Sequence, residues 1–199
     1  MKKILVVAAL MLSSVSTFAQ HAVGSFNLQP KVGVSIANLT EFKGTDPRVG
    51  VVAGVEGEYQ ASDIISVSAG VLYSMQGSKY EYELGKLKSK STNKLDYINV
   101  PIMANVHATK GLAVKLGVQP GFMVSGSENS KLNIPVASIG GTHDVKAKSV
   151  DFSIPVGLSY EYNNFQLDAR YNWGLSKVFE NSDAKNSVFQ ITLGYKFDL

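Results

Sequence analysis

A chain of 199 residues with 19 basic and 16 acidic side chains has no basic excess for nucleic acid, and with no cysteine it has no disulfide to lean on. Its 18 glycines, nine tyrosines and nine phenylalanines come without sustained helical periodicity. Beyond residue 19 no long apolar helix follows, which excludes a helical inner-membrane protein.

Residues 1–19 carry Lys2 and Lys3, then an apolar run over residues 4–12, then a small polar stretch ending Thr17-Phe18-Ala19. This is the pattern of a secretory signal peptide. It falls short of the roughly 20 apolar residues a spanning helix needs. Cleavage after Ala19 leaves Gln20 at the head of a single domain, residues 20–199, with 17 basic and 16 acidic side chains.

The rest of the chain alternates with period two, the mark of strands with one oily and one polar face. Residues 28–37 place Leu28, Pro30, Val32, Val34 and Ile36 opposite Gln29, Lys31, Gly33, Ser35 and Ala37. Residues 49–60 and 64–75 continue the pattern, the second of these with Ile65, Val67, Val71 and Tyr73 on its oily face. Further strands are expected over 93–108, 112–125, 149–162, 165–176 and 187–199. The last sets Phe189, Ile191, Leu193, Tyr195 and Phe197 against Gln190, Thr192, Gly194 and Lys196. Short turns at 61–63, 109–111 and 163–164 alternate with longer connections at 38–48, 83–92, 126–148 and 177–186, the longest of these read as irregular. Asn163-Asn164 suits a two-residue hairpin because Asn tolerates positive φ.

Strands of 10 residues and more exceed the globular norm of about 5–6 and match tilted membrane strands of roughly 9–11. Short turns on one rim and long loops on the other are the outer-membrane arrangement, with the short turns in the periplasm. The charges agree. Lys31, Lys115, Arg170, Lys196, Glu56, Glu58, Asp151, Glu161 and Asp168 all fall on polar faces, away from lipid. The expected fold is all-β: an eight-stranded antiparallel up-and-down transmembrane β-barrel of the cell outer membrane, of the size of the small OmpX and OmpA barrels. A barrel of about eight strands is just wide enough for side chains to fill, so its charged residues form a packed interior polar network rather than a diffusion pore.

Leu95-Asp96-Tyr97-Ile98-Asn99-Val100-Pro101-Ile102, Gly117-Val118-Gln119-Pro120-Gly121-Phe122 and the ending Gly194-Tyr195-Lys196-Phe197 resemble the strands of PorT-like outer-membrane β-barrel proteins of Bacteroidota, also labelled "porin family". The resemblance covers residues 28–199 and implies a small outer-membrane barrel. One branch of that family assists secretion, and most members have no assigned ligand. The chain departs from common barrels in ending Asp198-Leu199 after Phe197, where an aromatic terminus is usual.

Enzymatic chemistry finds little footing. His21, His107 and His143 are not spaced as metal ligands, and no metal or cofactor is expected. Ser138, His143, Asp144 and Ser149 share one loop in which a Ser-His-acid set can be drawn, as in almost any loop of this composition. Gly140-Gly141 lacks the strand and helix that would make it a phosphate cradle. The reading is a small non-enzymatic outer-membrane barrel with a structural, adhesive or accessory role through its surface loops. Lys86, Lys88, Lys90, Lys146 and Lys148 are the candidate surface contacts, for lipopolysaccharide among other partners. The expected partners are outer-membrane lipid and the barrel-assembly machinery, and the expected state is monomeric. The alternatives are a narrow or gated channel, an outer-membrane lipid hydrolase and a soluble exported ligand-binding barrel.

Overall fold

The computed structural model describes residues 22–40, 44–84, 87–134, 137–144, 147–180 and 182–199. The expected signal peptide, His21, Lys86 and Lys146 lie outside the described residues. Among the described residues eleven strands form one antiparallel sheet: β1 Phe26–Leu39, β2 Thr45–Gln60, β3 Ile65–Leu84, β4 Leu87–Asn99, β5 Ile102–His107, β6 Leu112–Ile134, β7 Ala137–Asp144, β8 Val150–Tyr162, β9 Phe165–Gly174, β10 Asn186–Tyr195 and β11 Phe197–Asp198. The pairing path runs β10-β9-β8-β6-β4-β3-β2-β1-β11, and β1 also pairs β10, from Lys31↔Gly194 to Leu39↔Asn186.

The expectation of eight strands is therefore corrected to eleven, and each extra strand has a physical cause. Pro101 has no N–H for a ladder, so the stretch expected as one strand over 93–108 breaks at Val100-Pro101 into β4 and β5. The neighbours bridge the gap: Gly70 N–H donates to the Pro101 carbonyl (3.1 Å) and Val100 N–H to the Pro120 carbonyl (2.8 Å). At the C-terminus, Pro30 stands opposite Tyr195 with no N–H for the ladder, so pairing with β1 lapses between Lys31↔Gly194 and Leu28↔Phe197 and sets β11 apart from β10. The third extra strand is β7, inside the stretch 126–148 that alternation alone leaves irregular. Its sequence, Ala-Ser-Ile-Gly-Gly-Thr-His-Asp, has no oily face, and it forms through backbone pairing with β6, from Ser127↔Asp144 to Ile134↔Ala137.

Burial is inverted relative to a soluble protein. Val49, Leu158 and Trp173 are 62, 52 and 64% exposed, while Lys115, Arg170 and Lys196 are at most 1% exposed. Soluble proteins do not bury charge and expose contiguous apolar surface in this way. The outward face needs an apolar solvent, which rules out the soluble ligand-binding barrel. Outward aromatics gather near the short turns, where Phe165, Tyr195 and Phe197 meet edge to face at 5.0 and 4.7 Å. Asn163 and Asn164 take φ of 47 and 67° in the two-residue turn between β8 and β9.

Inside, glycine sets how closely strands approach. A Cβ on Gly33 would stand 1.9 Å from the Ile191 carbonyl oxygen of β10, so only glycine lets β1 and β10 cross there.

If the outward face meets hydrocarbon, Val156→Arg at mid-strand of β8 should cost about 2–4 kcal/mol in urea titrations of the protein folded into phospholipid vesicles. An effect of about 0.5 kcal/mol or less, the usual size at a water-exposed surface, would contradict the lipid-facing assignment.

Candidate functional site

Strand alternation sends the charged residues inward, and the register brings them together in two layers. In the first, β1 supplies Lys31, β2 Glu56, β6 Lys115 and β9 both Asp168 and Arg170. The Lys31 ammonium lies 2.6 Å from Glu56 Oε2 and 3.6 Å from Asp168 Oδ2. Lys115 Nζ lies 2.8 Å from Asp168 Oδ2 and 3.8 Å from Glu56 Oε2. Arg170 grips Asp168 with two bonds, from Nε (2.9 Å) and Nη2 (2.8 Å), and reaches Glu56 Oε1 through Nη1 (2.8 Å). Its planar fork makes this possible; a lysine there could not hold both carboxylates in fixed geometry.

The second layer lies toward the short turns. Lys196 Nζ sits 2.9 Å from Glu58 Oε2 and 2.8 Å from Glu161 Oε2. The Ser66 hydroxyl donates to Glu58 Oε1 (2.5 Å) and lies 3.1 Å from His107 Nε2, and Asn105 Nδ2 donates to the same hydroxyl (3.1 Å). Among the lysines, arginine and carboxylates, the first layer holds three cations and two anions and the second one cation and two anions, so these formal charges cancel across the pair. This cancellation matters because an unpaired buried charge costs several kcal/mol.

Eight of the nine charged residues singled out in the sequence meet in these layers. Asp151 does not. It lies near the opposite end, where it accepts a hydrogen bond from the Ser176 hydroxyl (2.7 Å). His107, Ser66 and Asn105 join the second layer; alternation places them inward, but their partnership comes from the register. Of the loop lysines, Lys90 on β4 and Lys148 are exposed, and Lys88 occupies a register position on β4 opposite Glu83 and Asn133.

Beyond the ionic layers, toward the long connections, the interior turns apolar. Leu39, Leu95, Tyr97 and Val178 pack together, all 2% exposed or less, with Met123, Ala147 and Phe179 against them. The segment between β9 and β10 is drawn inward to supply Val178, whose N–H donates to the Ala184 carbonyl (2.8 Å) and whose carbonyl accepts from Lys148 N–H (2.8 Å). At its outer surface the Lys177 ammonium contacts Asp183 and holds that carboxyl below the usual range. Where β2 and β3 lose register between Pro47 and Val52, the Arg48 guanidinium fills in, donating to the Gln76 carbonyl and lying 3.4 Å from Asp96 Oδ1.

Neither serine–histidine set has hydrolase geometry. Glu58 approaches the same ring nitrogen of His107 that faces Ser66 (3.6 Å), not the far nitrogen an orienting acid uses, and Ser66 is fully buried. Ser138 and His143 sit on one strand, at register positions opposite Asn133 and Glu128. Five residues of extended chain separate them, about 17 Å, far beyond hydrogen-bond reach. Among the described residues, no group of three or more His, Cys, Asp or Glu could hold a metal ion.

Removing the guanidinium takes three hydrogen bonds from two buried carboxylates, which keep only the ammoniums of Lys31 and Lys115, and leaves the two layers with one uncompensated negative charge, so Arg170→Ala should cost about 3–5 kcal/mol in the same vesicle titrations. Lys177→Ala, which breaks an exposed pair, should leave the titration nearly unchanged. Equal effects from the two would deny the inner layer its structural weight.

Similarity to known proteins follows the same outline. A family model described as "Outer membrane protein beta-barrel domain" matches residues 18–180. Ail, the attachment invasion locus protein of Yersinia pestis, superposes with a TM-score of 0.51 at 14% identity, over 88% of this chain and 100% of that one. A second Ail structure, in complex with the heparin analogue sucrose octasulfate, gives 0.50 at the same identity and coverage. Neisserial surface protein A gives 0.45 at 15% identity, over 86% of this chain and 97% of that one. No curated protein matches at the level of sequence. With the family model spanning most of its length, the chain belongs to the outer membrane protein beta-barrel domain family and is a small β-barrel protein of the outer membrane.

Proposed function

We propose that this protein presents a strand-built projection at the cell surface, in an adhesive, structural or accessory role, and catalyses no reaction. The observation that carries this reading is the unequal height of the wall. Above Asp96, where the outward face turns from apolar to polar, β3, β4, β6 and β7 continue as a four-stranded extension. Its rows run from Gly77↔Lys94↔Ser127↔Asp144 up to Glu83↔Lys88↔Asn133↔Ser138. The opposite wall ends earlier, at Leu39 in β1, Gly174 in β9 and Asn186 in β10. Paired strands hold a surface-exposed segment in one shape, which a contact surface needs and a solvated linker does not.

Attachment is the role printed in Ail's name, and its complex with a heparin analogue supports looking for polyanions here. On this chain Lys79, Lys90 and Lys148 are exposed, and Lys94 is half-buried. They support contact with anionic lipopolysaccharide around the projection. Entry by a signal peptide over residues 1–19 and insertion by the barrel-assembly machinery complete the reading, with the protein a monomer. The motifs around Tyr97–Pro101, Gly117–Phe122 and Gly194–Phe197 support a place in the PorT-like branch of Bacteroidota.

The packed interior weighs against a channel. An ion passing through would have to part Arg170 from both its carboxylates and then cross the apolar layer at Val178. Purified protein in planar bilayers should therefore give no stable open conductance, and a reproducible porin-like conductance would overturn that part of the reading. The role of the projection is tested by deleting residues 127–147. The shortened protein should still insert with heat-modifiable mobility on gels, because β6 keeps its lower pairing with β8 from Leu112↔Tyr160 to Phe122↔Val150. Adherence of cells displaying it to a coated surface should be lost. Unchanged adherence would shift the role to the periplasmic rim or to the membrane itself.

A further inference from the structure

The projection has two lateral edges, and they differ. On one side β2 stops pairing at Thr45↔Tyr80, and no strand among the described residues pairs the upper end of β3, whose sequence there holds Glu81 and Glu83. Charged residues are the usual guard against unwanted strand addition. On the other side stands β7. It pairs β6 over eight positions, and no strand among the described residues pairs its outer edge. β8 takes up the same flank of β6 only lower down, at Phe122↔Val150 and below, and the segment between β9 and β10 turns inward over the interior. From Ala137 to His143 the edge has no lysine, arginine, glutamate, aspartate or proline; Asp144 comes only at its foot. Of two edges on one small sheet, one is guarded and one is open.

We infer that the outer edge of β7 is a strand-addition site that takes an extended segment of another polypeptide, paired antiparallel over residues 137–143. This rests on the surface-projection reading above and names the class of partner it serves. Main-chain groups supply the attraction in such docking, and side-chain rows supply the selectivity. Here one row reads Glu81, Lys90, Lys131 and Gly140 across β3, β4, β6 and β7. The glycine ends it with no side chain, so the next position belongs to the added strand and lies nearest a row position held by lysine. An acidic residue is favoured there, since opposite charges across strands stabilise and like charges do not. The occupant is therefore an extended segment with small or β-branched residues and one acidic residue in that row.

A second copy of this chain fits less well. Copies standing in one outer membrane carry β7 in the same direction, so two such edges meet only in parallel, the weaker pairing. A separate segment is free to run antiparallel and continue the alternation of the sheet.

The test uses the full mature chain in phospholipid nanodiscs and a fluorescent nine-residue peptide of alternating threonine and valine with a central glutamate. Two controls accompany it: the same peptide with lysine for glutamate, and one N-methylated at alternate residues so that its backbone cannot pair. The glutamate peptide should raise anisotropy and slow hydrogen exchange of amides within residues 137–144. The N-methylated peptide should not bind, and the lysine peptide should bind more weakly. The double variant Ser138→Glu/Thr142→Glu, which gives this edge carboxylates flanking the glutamate's row, should weaken binding by roughly tenfold. Its heat-modifiable mobility should stay unchanged. No binding to the native chain, equal binding to the guarded variant, or protection mapping away from β7 would each overturn the inference. Because the chain has no cysteine, Thr142→Cys reports self-pairing cleanly. Disulfide-linked dimers forming readily in nanodiscs holding two copies would overturn it in favour of a second copy. If the peptide fails while the 127–147 deletion still abolishes adherence, the open edge is wrong and the projection's role stands.

Discussion

Hydrocarbon offers a backbone amide no hydrogen bond, and the rest of this structure follows from that. Each N–H and C=O at membrane depth must find its partner on a neighbouring strand. The ladders meet this demand strand by strand, and where one fails the chain repairs it locally. Pro101 cannot donate, yet its carbonyl accepts from Gly70, and Val100 donates to Pro120 across the same gap. The strands on either side keep their register through the break: Leu72↔Asn99 is followed by Ala69↔Ile102, three residues on along each strand.

With the wall committed to lipid outside, the polar chemistry is left to the interior. Strands lined inward by Lys31, Glu56, Lys115, Asp168 and Arg170 are stable together only if the charges meet. The fork of Arg170 is the piece that joins them, since it alone holds a carboxylate of β2 and one of its own strand at 2.8–2.9 Å. Such a network has little net attraction to offer once desolvation is counted. Its weight lies in how much is lost when one member is missing. That gives the interior one arrangement.

Freedom then remains above the membrane. The strands that rise past Asp96 need no hydrocarbon match, and their residues change character there: outward positions become Lys94, Thr92 and Lys90 on β4 and Ser127 and Asn129 on β6. A wall that must close against lipid below becomes, a few residues higher, a free-standing sheet with two edges. The apolar packing of Leu39, Leu95, Tyr97 and Val178 stands between these two regimes.

Period-two alternation determined from sequence which residues face lipid and which face inward, because successive strand side chains point to opposite faces whatever the strands pair with. That placed Lys31, Glu56, Glu58, Lys115, Glu161, Asp168, Arg170 and Lys196 inside, and with them the outer-membrane setting. Alternation carries no information about depth. Whether two inward charges meet depends on register and stagger between strands, so only the tertiary structure separated Asp151 from the network and joined His107 and Ser66 to it. The strand count escapes alternation for a related reason. The break at Pro101 was legible from the missing N–H, but the continuing oily pattern of Ile98, Ile102, Ala104 and Val106 masked it. β7, with Gly140-Gly141 at its centre and no oily face, owes its existence to hydrogen bonds with β6. Backbone pairing leaves no mark on side-chain pattern, so that strand, and the open edge it creates, became visible only once the chain was folded.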